Sequence, residues 1–295
     1  MAIAKASPLF GKINVYEPEG GKQRVEIYIR LDQSVEHMKV GIAIDASASM
    51  KTHYAANIPK MVRQPGQNVM EPVVRQLCRF VCDYSGDGTV LPIYWAVGPG
   101  GKEIESIGVL DGLRAETMPV DGPKRPWGTG TCLLPALNFF LEQFASAEWA
   151  ILLFVTDGVI EDLEDVKARA LEVGHEIKGG KRANCKFVVV GIGEADEEQL
   201  DELDNMFDGT DLEEDIDLWD CKLAGDMAEL AEIWDEVDFG ISLPMSARIT
   251  DSAGAVVKAY ADEVPQRMEF EVLAGTKSVT LEIAGQTIVQ SLEEG

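Results

Sequence analysis

The sequence predicts an α/β fold: a doubly wound, mostly parallel sheet with a small all-β, sandwich-like companion built from the N- and C-terminal segments. Three observations predict it. Short apolar runs (Val40–Ile44, Val90–Val97, Trp149–Val155, Cys185–Val190) are separated by stretches of helical period, the pattern of strands buried on both faces of a parallel sheet. Before residue 37 and after residue 239 the texture changes to alternating apolar and polar residues broken by Gly-containing turns. The length of 295 residues allows one large domain, or a domain with a smaller companion. The expected division is residues 1–36 (β strands of the companion), 37–239 (the α/β domain) and 240–295 (the C-terminal β segment).

Taken in order, Ile13 and Val15 alternate with polar neighbours, Pro18-Glu19-Gly20-Gly21 is turn chemistry, and Val25, Ile27, Ile29 and Leu31 form a second half-buried strand. The α/β pattern starts at Val40. Val73, Val74, Leu77, Val81 and Tyr84 give a helix over about Met70–Tyr84, ended by Ser85-Gly86-Asp87-Gly88. Val90–Val97 is the next strand, and Ile104, Ile107 and Val109 suggest a short one beyond the Gly98–Gly101 turn. Residues 111–128 read as loop because of Pro119, Gly122, Pro123 and Pro126. A helix over about Leu134–Phe144 precedes the strand Trp149–Val155. Leu163, Val166, Ala170, Val173 and Ile177 then define a long helix with acids at its start, where the helix dipole favours them.

Residues 194–217 carry many acids and no Lys or Arg. Leu200, Leu203, Met206 and Phe207 make this a helix with a solvated acidic face, since no EF-hand spacing is present. Met227–Val237 reads as a last helix. Ala247–Thr250, Val256–Tyr260, Met268–Leu273, Ser278–Ile283 and Thr287–Leu292 read as short antiparallel strands. The two N-terminal strands are expected to join them in one split sandwich.

The net charge of −25 argues against nucleic acid and anionic membranes as partners, and suits cations and basic protein surfaces. Five cysteines, an odd number without zinc-finger spacing, imply reduced thiols and a cytoplasmic chain. The first residues lack the apolar core of a signal peptide, and no run reaches the roughly 20 apolar residues of a membrane span.

The candidate chemistry lies after the strands. Asp45, Ser47 and Ser49 follow the first one, Thr129 and Thr131 precede a helix, and Thr156-Asp157 follows the Trp149–Val155 strand. Ligands of open α/β sheets bind at this carboxyl edge. If the first and third strands are neighbours, Asp45 and Asp157 approach each other and repel unless protonated or bridged by a cation. The oxygen-only donor set Asp45, Ser47, Ser49, Thr129 and Asp157 is what hard divalent ions prefer.

Asp45-x-Ser47-x-Ser49, then Thr129 in Gly128-Thr129-Gly130-Thr131, then Thr156-Asp157-Gly158, in that order, resembles the metal-ion-dependent adhesion site of von Willebrand factor A domains, over roughly residues 38–239. The resemblance implies that Ser47 and Ser49 bind Mg²⁺ (or Mn²⁺ or Ca²⁺) directly, and that Thr129 binds it directly or through water according to conformational state. It implies that Asp45 and Asp157 act mainly through water, and that a protein partner presents an Asp or Glu to an open coordination position. Ala48 stands where the family commonly has Gly, which alters the loop and removes no ligand. Met50-Lys51 with Tyr54, Gly88–Tyr94, Phe154–Gly158 and Val190–Gly193 are most similar to bacterial intracellular members, including those associated with tellurium resistance, and to copine domains. That similarity implies a cytoplasmic interaction module of a stress response or an AAA+ ATPase assembly, and not an enzyme.

Two other classes fit the residues less well. A haloacid-dehalogenase-type phosphatase needs a second acid two residues after its nucleophilic Asp, and Ser47 stands there. A metal-independent scaffold would not need all five donor positions filled. No Gly-x-Ser-x-Gly elbow occurs, and Gly191-Ile192-Gly193 reads as a strand-end turn rather than a nucleotide loop. His175 reads as a surface residue, and His53, near the first loop, as solvated.

Overall fold

The computed structural model describes residues 2–3, 10–29, 38–64, 66–192, 195–213, 215–224, 242–243, 245–283 and 285–293. The chain divides into two compact units. One is Gln33–Ile233, and the other combines Met1–Asp32 with Trp234–Gly295.

The larger unit runs β1 (Met38–Asp45), α1 (Met70–Tyr84), β2 (Thr89–Val97), β3 (Glu103–Ser106), α2 (Gly112–Thr117), α3 (Leu134–Gln143), β4 (Trp149–Thr156), α4 (Leu163–Lys178), β5 (Asn184–Ile192), α5 (Glu197–Asp204), β6 (Trp219–Ala224). The sheet order is β6-β5-β4-β1-β2-β3. The pairs from β6 to β2 are parallel, and β3 is antiparallel to β2. A mixed α/β architecture with a central, mostly parallel sheet is therefore what forms. β1 lies between β4 and β2 because the chain winds first to one side and then to the other. The boundary of β1 and β4 is a topological switch point, where an open sheet leaves a crevice at its carboxyl edge.

The strands are apolar on both faces because helices cover both. Ala43, Ile93, Phe154, Phe187 and Trp219 form one cluster with α3, α4 and α5. α1 buries Val74, Leu77, Cys78 and Val81 and packs on β1 and β2. Gly41 lets Phe140 of α3 lie flat on β1, since a Cβ there would sit 2.5 Å from the ring. All five cysteines are free thiols. Among the described residues no helix is long and apolar enough to cross a membrane.

Three elements depart from the sequence expectation. Residues 112–117, expected as loop, form α2, because Asp111 accepts a hydrogen bond from the Arg114 N–H and starts a helix that ends before Pro119. β6 was not expected, because its apolar run is broken by Asp220 and Lys222, which pair with each other on an outer strand. α5 stops at Asp204, short of Met206 and Phe207, though Phe207 is still buried against α4 through turns. The expected helix over Met227–Val237 lies outside the described residues.

In the smaller unit, Phe10–Val15 pairs with Lys22–Ile29, which pairs antiparallel with Arg267–Leu273. A second sheet has the order Val256–Tyr260, Ala247–Asp251, Ser278–Ile283, Gln286–Ser291. The inward residues Ile13, Val25 and Ile27 share one core with Ile249, Val279 and Leu281. On the other side of the first sheet Glu26 is 1% exposed. It accepts from Arg267 at 2.8 Å and from Asn14 at 3.2 Å. Burial alone would raise its carboxyl, but Arg267, Tyr16 and Asn14 together hold it below its ordinary value. The stability this gives is present above about pH 4.5 and lost as pH falls through the lowered value. Glu26→Ala removes the buried carboxylate that Arg267 and Asn14 both bind. The expected loss is about 2–4 kcal/mol, at the lower end for broken buried pairs because Arg267 reaches solvent, measured by urea unfolding.

Candidate functional site

Asp45 is the last residue of β1. Ile44 is level with Val155, so Asp45 faces the Thr156 end of β4. Its carboxylate is fully buried and held at both oxygens. Oδ1 accepts from the Ser47 N–H at 2.6 Å, and Oδ2 accepts from the Thr156 hydroxyl at 2.7 Å. The Ser47 and Ser49 hydroxyls are 2.9 Å apart, and Ser49 donates to Asp157 Oδ1 at 2.8 Å. A hydrogen-bonded chain thus runs from buried Asp45 through Ser47 to exposed Ser49 and on to Asp157, which is 8% exposed. Thr156 also accepts from the Gly158 N–H, so one hydroxyl orients Asp45 and shapes the turn that carries Asp157.

Backbone bonds tie this loop to the Gly128–Thr131 segment. Ala48 N–H donates to Gly128 O at 2.9 Å and Gly128 N–H to Ala46 O at 3.0 Å, while Ala46 N–H donates to Trp95 O of β2. Asp162 accepts from the Leu133 and Leu134 N–H groups, capping α3 from the α4 side, and Glu161 N–H donates to Thr131 O. The exposed Thr129 hydroxyl accepts from the Gly100 N–H at 2.9 Å. The fold therefore brings Asp45, Ser47, Ser49 and Asp157 into one hydrogen-bonded group. Thr129 stands on the adjoining strut, with its hydroxyl outside that group.

Three supporting residues were not assigned a role from sequence. Thr156 is the first. Tyr54 is fully buried, donates to the Asp45 carbonyl at 3.1 Å and packs edge-on to Trp127, with ring centroids 5.2 Å apart. His53, expected to be solvated, instead lies with Nε2 3.4 Å from Asp157 Oδ2, because the short turn after Ser49 folds it back over the site. A polar residue a few positions beyond the Asp-x-Ser-x-Ser string was the available signal for it.

Burial pushes the Asp45 carboxyl up to about 6. Bonds from Thr156 and Ser47 pull the other way, and the Asp157 charge adds to the rise. Such a pair favours a cation between or beside the carboxylates. The donor spacing fits one: metal–oxygen distances of 2.0–2.1 Å in an octahedral Mg²⁺ shell place neighbouring oxygens about 2.9 Å apart. The Ser47–Ser49 and Ser49–Asp157 separations of 2.9 and 2.8 Å are ordinary for O–H···O bonds and leave these oxygens close enough to share one such ion. Among the described residues no group of three or more His, Cys, Asp and Glu side chains is placed to hold a metal ion, so a cation here depends on the serine hydroxyls.

No family model and no curated protein matches the sequence. Solved structures similar to the chain include the pilus adhesin SpaC from Lactobacillus rhamnosus GG, at 12% identity and TM-score 0.40 over 98% of this chain and 49% of that one. Proximal thread matrix protein 1 from the mussel byssus, described with a zinc-occupied MIDAS motif, is 15% identical, with TM-score 0.43 over 72% of this chain and 47% of its own. The PilB minor pilin from Streptococcus sanguinis is 11% identical, with TM-score 0.39 over 76% of each chain. The chain spans about half the length of SpaC and of the byssus protein. At these scores the likenesses carry no argument about function.

Proposed function

We propose that the larger unit is a von Willebrand A-type domain and a binding module rather than an enzyme. In this reading Ser47, Ser49 and Asp157 hold a divalent cation, Mg²⁺ in the first place, with Asp45 behind them and Thr129 at the rim. The observation that supports the reading best is the hydrogen-bonded group of Asp45, Ser47, Ser49 and Asp157 at the switch point of the sheet, two carboxylates and two hydroxyls at its carboxyl edge. The bound cation would supply an electrophilic position for a carboxylate of a protein partner. The chain's own residues do the rest. Asp45 and Thr156 fix the loop, the Gly128 bonds hold the two serines at the edge, and His53 sits against Asp157. A cytoplasmic stress-response or AAA+ ATPase setting belongs to the same proposal and rests on the sequence resemblance alone.

Because a ligand that binds only the folded state stabilises it, Mg²⁺ at a hundredfold excess over its dissociation constant is expected to add about 2.7 kcal/mol, reversed by EDTA. Thermal unfolding of the full chain with and without the ion measures this. An unfolding temperature indifferent to Mg²⁺, Mn²⁺ and Ca²⁺ overturns the proposal.

A further inference from the structure

We propose that the rim of this site is built to seat an acidic, partly apolar segment of a protein partner, with one carboxylate at the Ser47–Asp157 centre and its acidic neighbours on lysines. The inference rests on the cation-site reading and adds the chemistry of the partner.

The chain has 51 acids in 295 residues, yet residues 46–69, between Asp45 and α1, contain none. Their charged residues are Lys51, Lys60 and Arg63, with His53 among them. Elsewhere basic side chains are mostly paired, as in Lys39 with Asp87, Arg79 with Glu116 and Lys167 with Glu202. Lys51, Lys102 and Lys124 have no ion pair among the described residues; Lys181, Arg248 and Lys258 share that, but none of these belongs to the loops that follow β1 and β2.

Lys51, Lys102 and Lys124 all leave loops at the carboxyl edge. Lys51 is two residues beyond Ser49. Lys102 closes the turn after β2, and its Cε would lie 3.8 Å from a Cβ at Gly100, the residue whose N–H holds Thr129. Lys124 belongs to the loop that Pro126 O ties to the Gly98 N–H. The acids around them are largely engaged. Asp121 binds Lys60 and Arg63, Glu103 binds Arg125, and Glu105 accepts from the backbone of Lys124 and Arg125. Glu161 also lies on this edge, with its carboxylate beside Gly130.

The acid-free stretch also carries an apolar tip. Met61 is 98% and Val62 66% exposed. Lys60 and Arg63 on either side are fixed to Asp121, which keeps the tip presented. Two exposed apolar side chains among basic ones favour a peptide, whose own apolar side chains can cover them, over a phosphate backbone, which offers none.

The test is fluorescence anisotropy of a labelled oligoglutamate peptide carrying one Leu-Phe pair, with the full chain in saturating Mg²⁺. Calorimetric Mg²⁺ titration of every variant runs beside it. Lys51→Gln/Lys102→Gln/Lys124→Gln is expected to weaken peptide binding about tenfold or more, and Met61→Ser/Val62→Ser about threefold or more, with Mg²⁺ affinity retained in both. No peptide binding by the wild type, or equal binding by the lysine variant, overturns the inference and leaves the cation reading standing. A wild type that takes no Mg²⁺ overturns the reading beneath it. A single-stranded oligonucleotide of equal charge that binds as tightly as the peptide overturns the choice of a protein partner.

Discussion

Asp45→Asn is expected to abolish cation binding and, near neutral pH, to leave the cation-free chain as stable as the wild type or more so. The carboxylate is fully buried, and its rise from 3.8 to about 6 corresponds to about 3 kcal/mol of ionisation cost. An amide of the same shape still accepts from the Ser47 N–H, and the Thr156 hydroxyl can turn to accept from it. The folded-state value lies above the unfolded one, so the stability tied to this group is fully present below about pH 4. It is lost as pH rises through about 6. The wild type without cation should therefore lose stability over that interval by up to about 3 kcal/mol relative to Asp45→Asn. Cation binding has the opposite dependence. The ion needs the ionised carboxylate, so its affinity should fall about tenfold per pH unit below about 6. Urea unfolding of both proteins across this range, with EDTA and then with Mg²⁺, measures both signs. An Asp45→Asn protein that is several kcal/mol less stable without cation would show that the residue serves the fold and not a site.

Gly128→Ala is expected to disable the same site through the backbone. A Cβ there would lie 1.8 Å from the Ala96 carbonyl oxygen, a contact no side-chain rotation can relieve. Ala96 already has φ 53°, in the left-handed region, and cannot absorb the shift cheaply. The segment must move away, which breaks the bonds from Ala48 N–H to Gly128 O and from Gly128 N–H to Ala46 O. Those bonds hold the serines level with Thr129. The expected cost is about 2–4 kcal/mol, two buried hydrogen bonds plus strain. Cation affinity should drop more than about a hundredfold, the scale on which roughly 3 kcal/mol of geometry acts. Unfolding and calorimetry on this variant check both. Retained affinity would show that the Gly128 strut does not position the donors.

The part of the site that lies within one segment is legible in the sequence. Val40–Ile44 reads as a strand buried on both faces, and residues that follow such a strand emerge at its end, so Asp45, Ser47 and Ser49 fall together. The Thr156-Asp157 end is legible for the same reason. What depends on strand order is not: that β4 lies beside β1 places Thr156 on the Asp45 carboxylate, and no local pattern encodes that adjacency. His53 and Tyr54 are missed because the short turn after Ser49 has no periodic signal. α2 and β6 are missed because a single cap and an outer strand with its own Asp–Lys pair give weak apolar patterns. The alternation at the two chain ends marks strands, whereas the pairing of Lys22–Ile29 with Arg267–Leu273 joins segments that are far apart in sequence.

The central claim is that the oxygens of Ser47, Ser49 and Asp157, backed by Asp45, hold a divalent cation. Its most direct test is calorimetric titration of the chelator-treated full chain with Mg²⁺, then Mn²⁺ and Ca²⁺, beside Asp45→Asn. The account predicts one site per chain in the wild type and none in the variant. Absence of binding in the wild type, or a site that persists unchanged in Asp45→Asn, would contradict it.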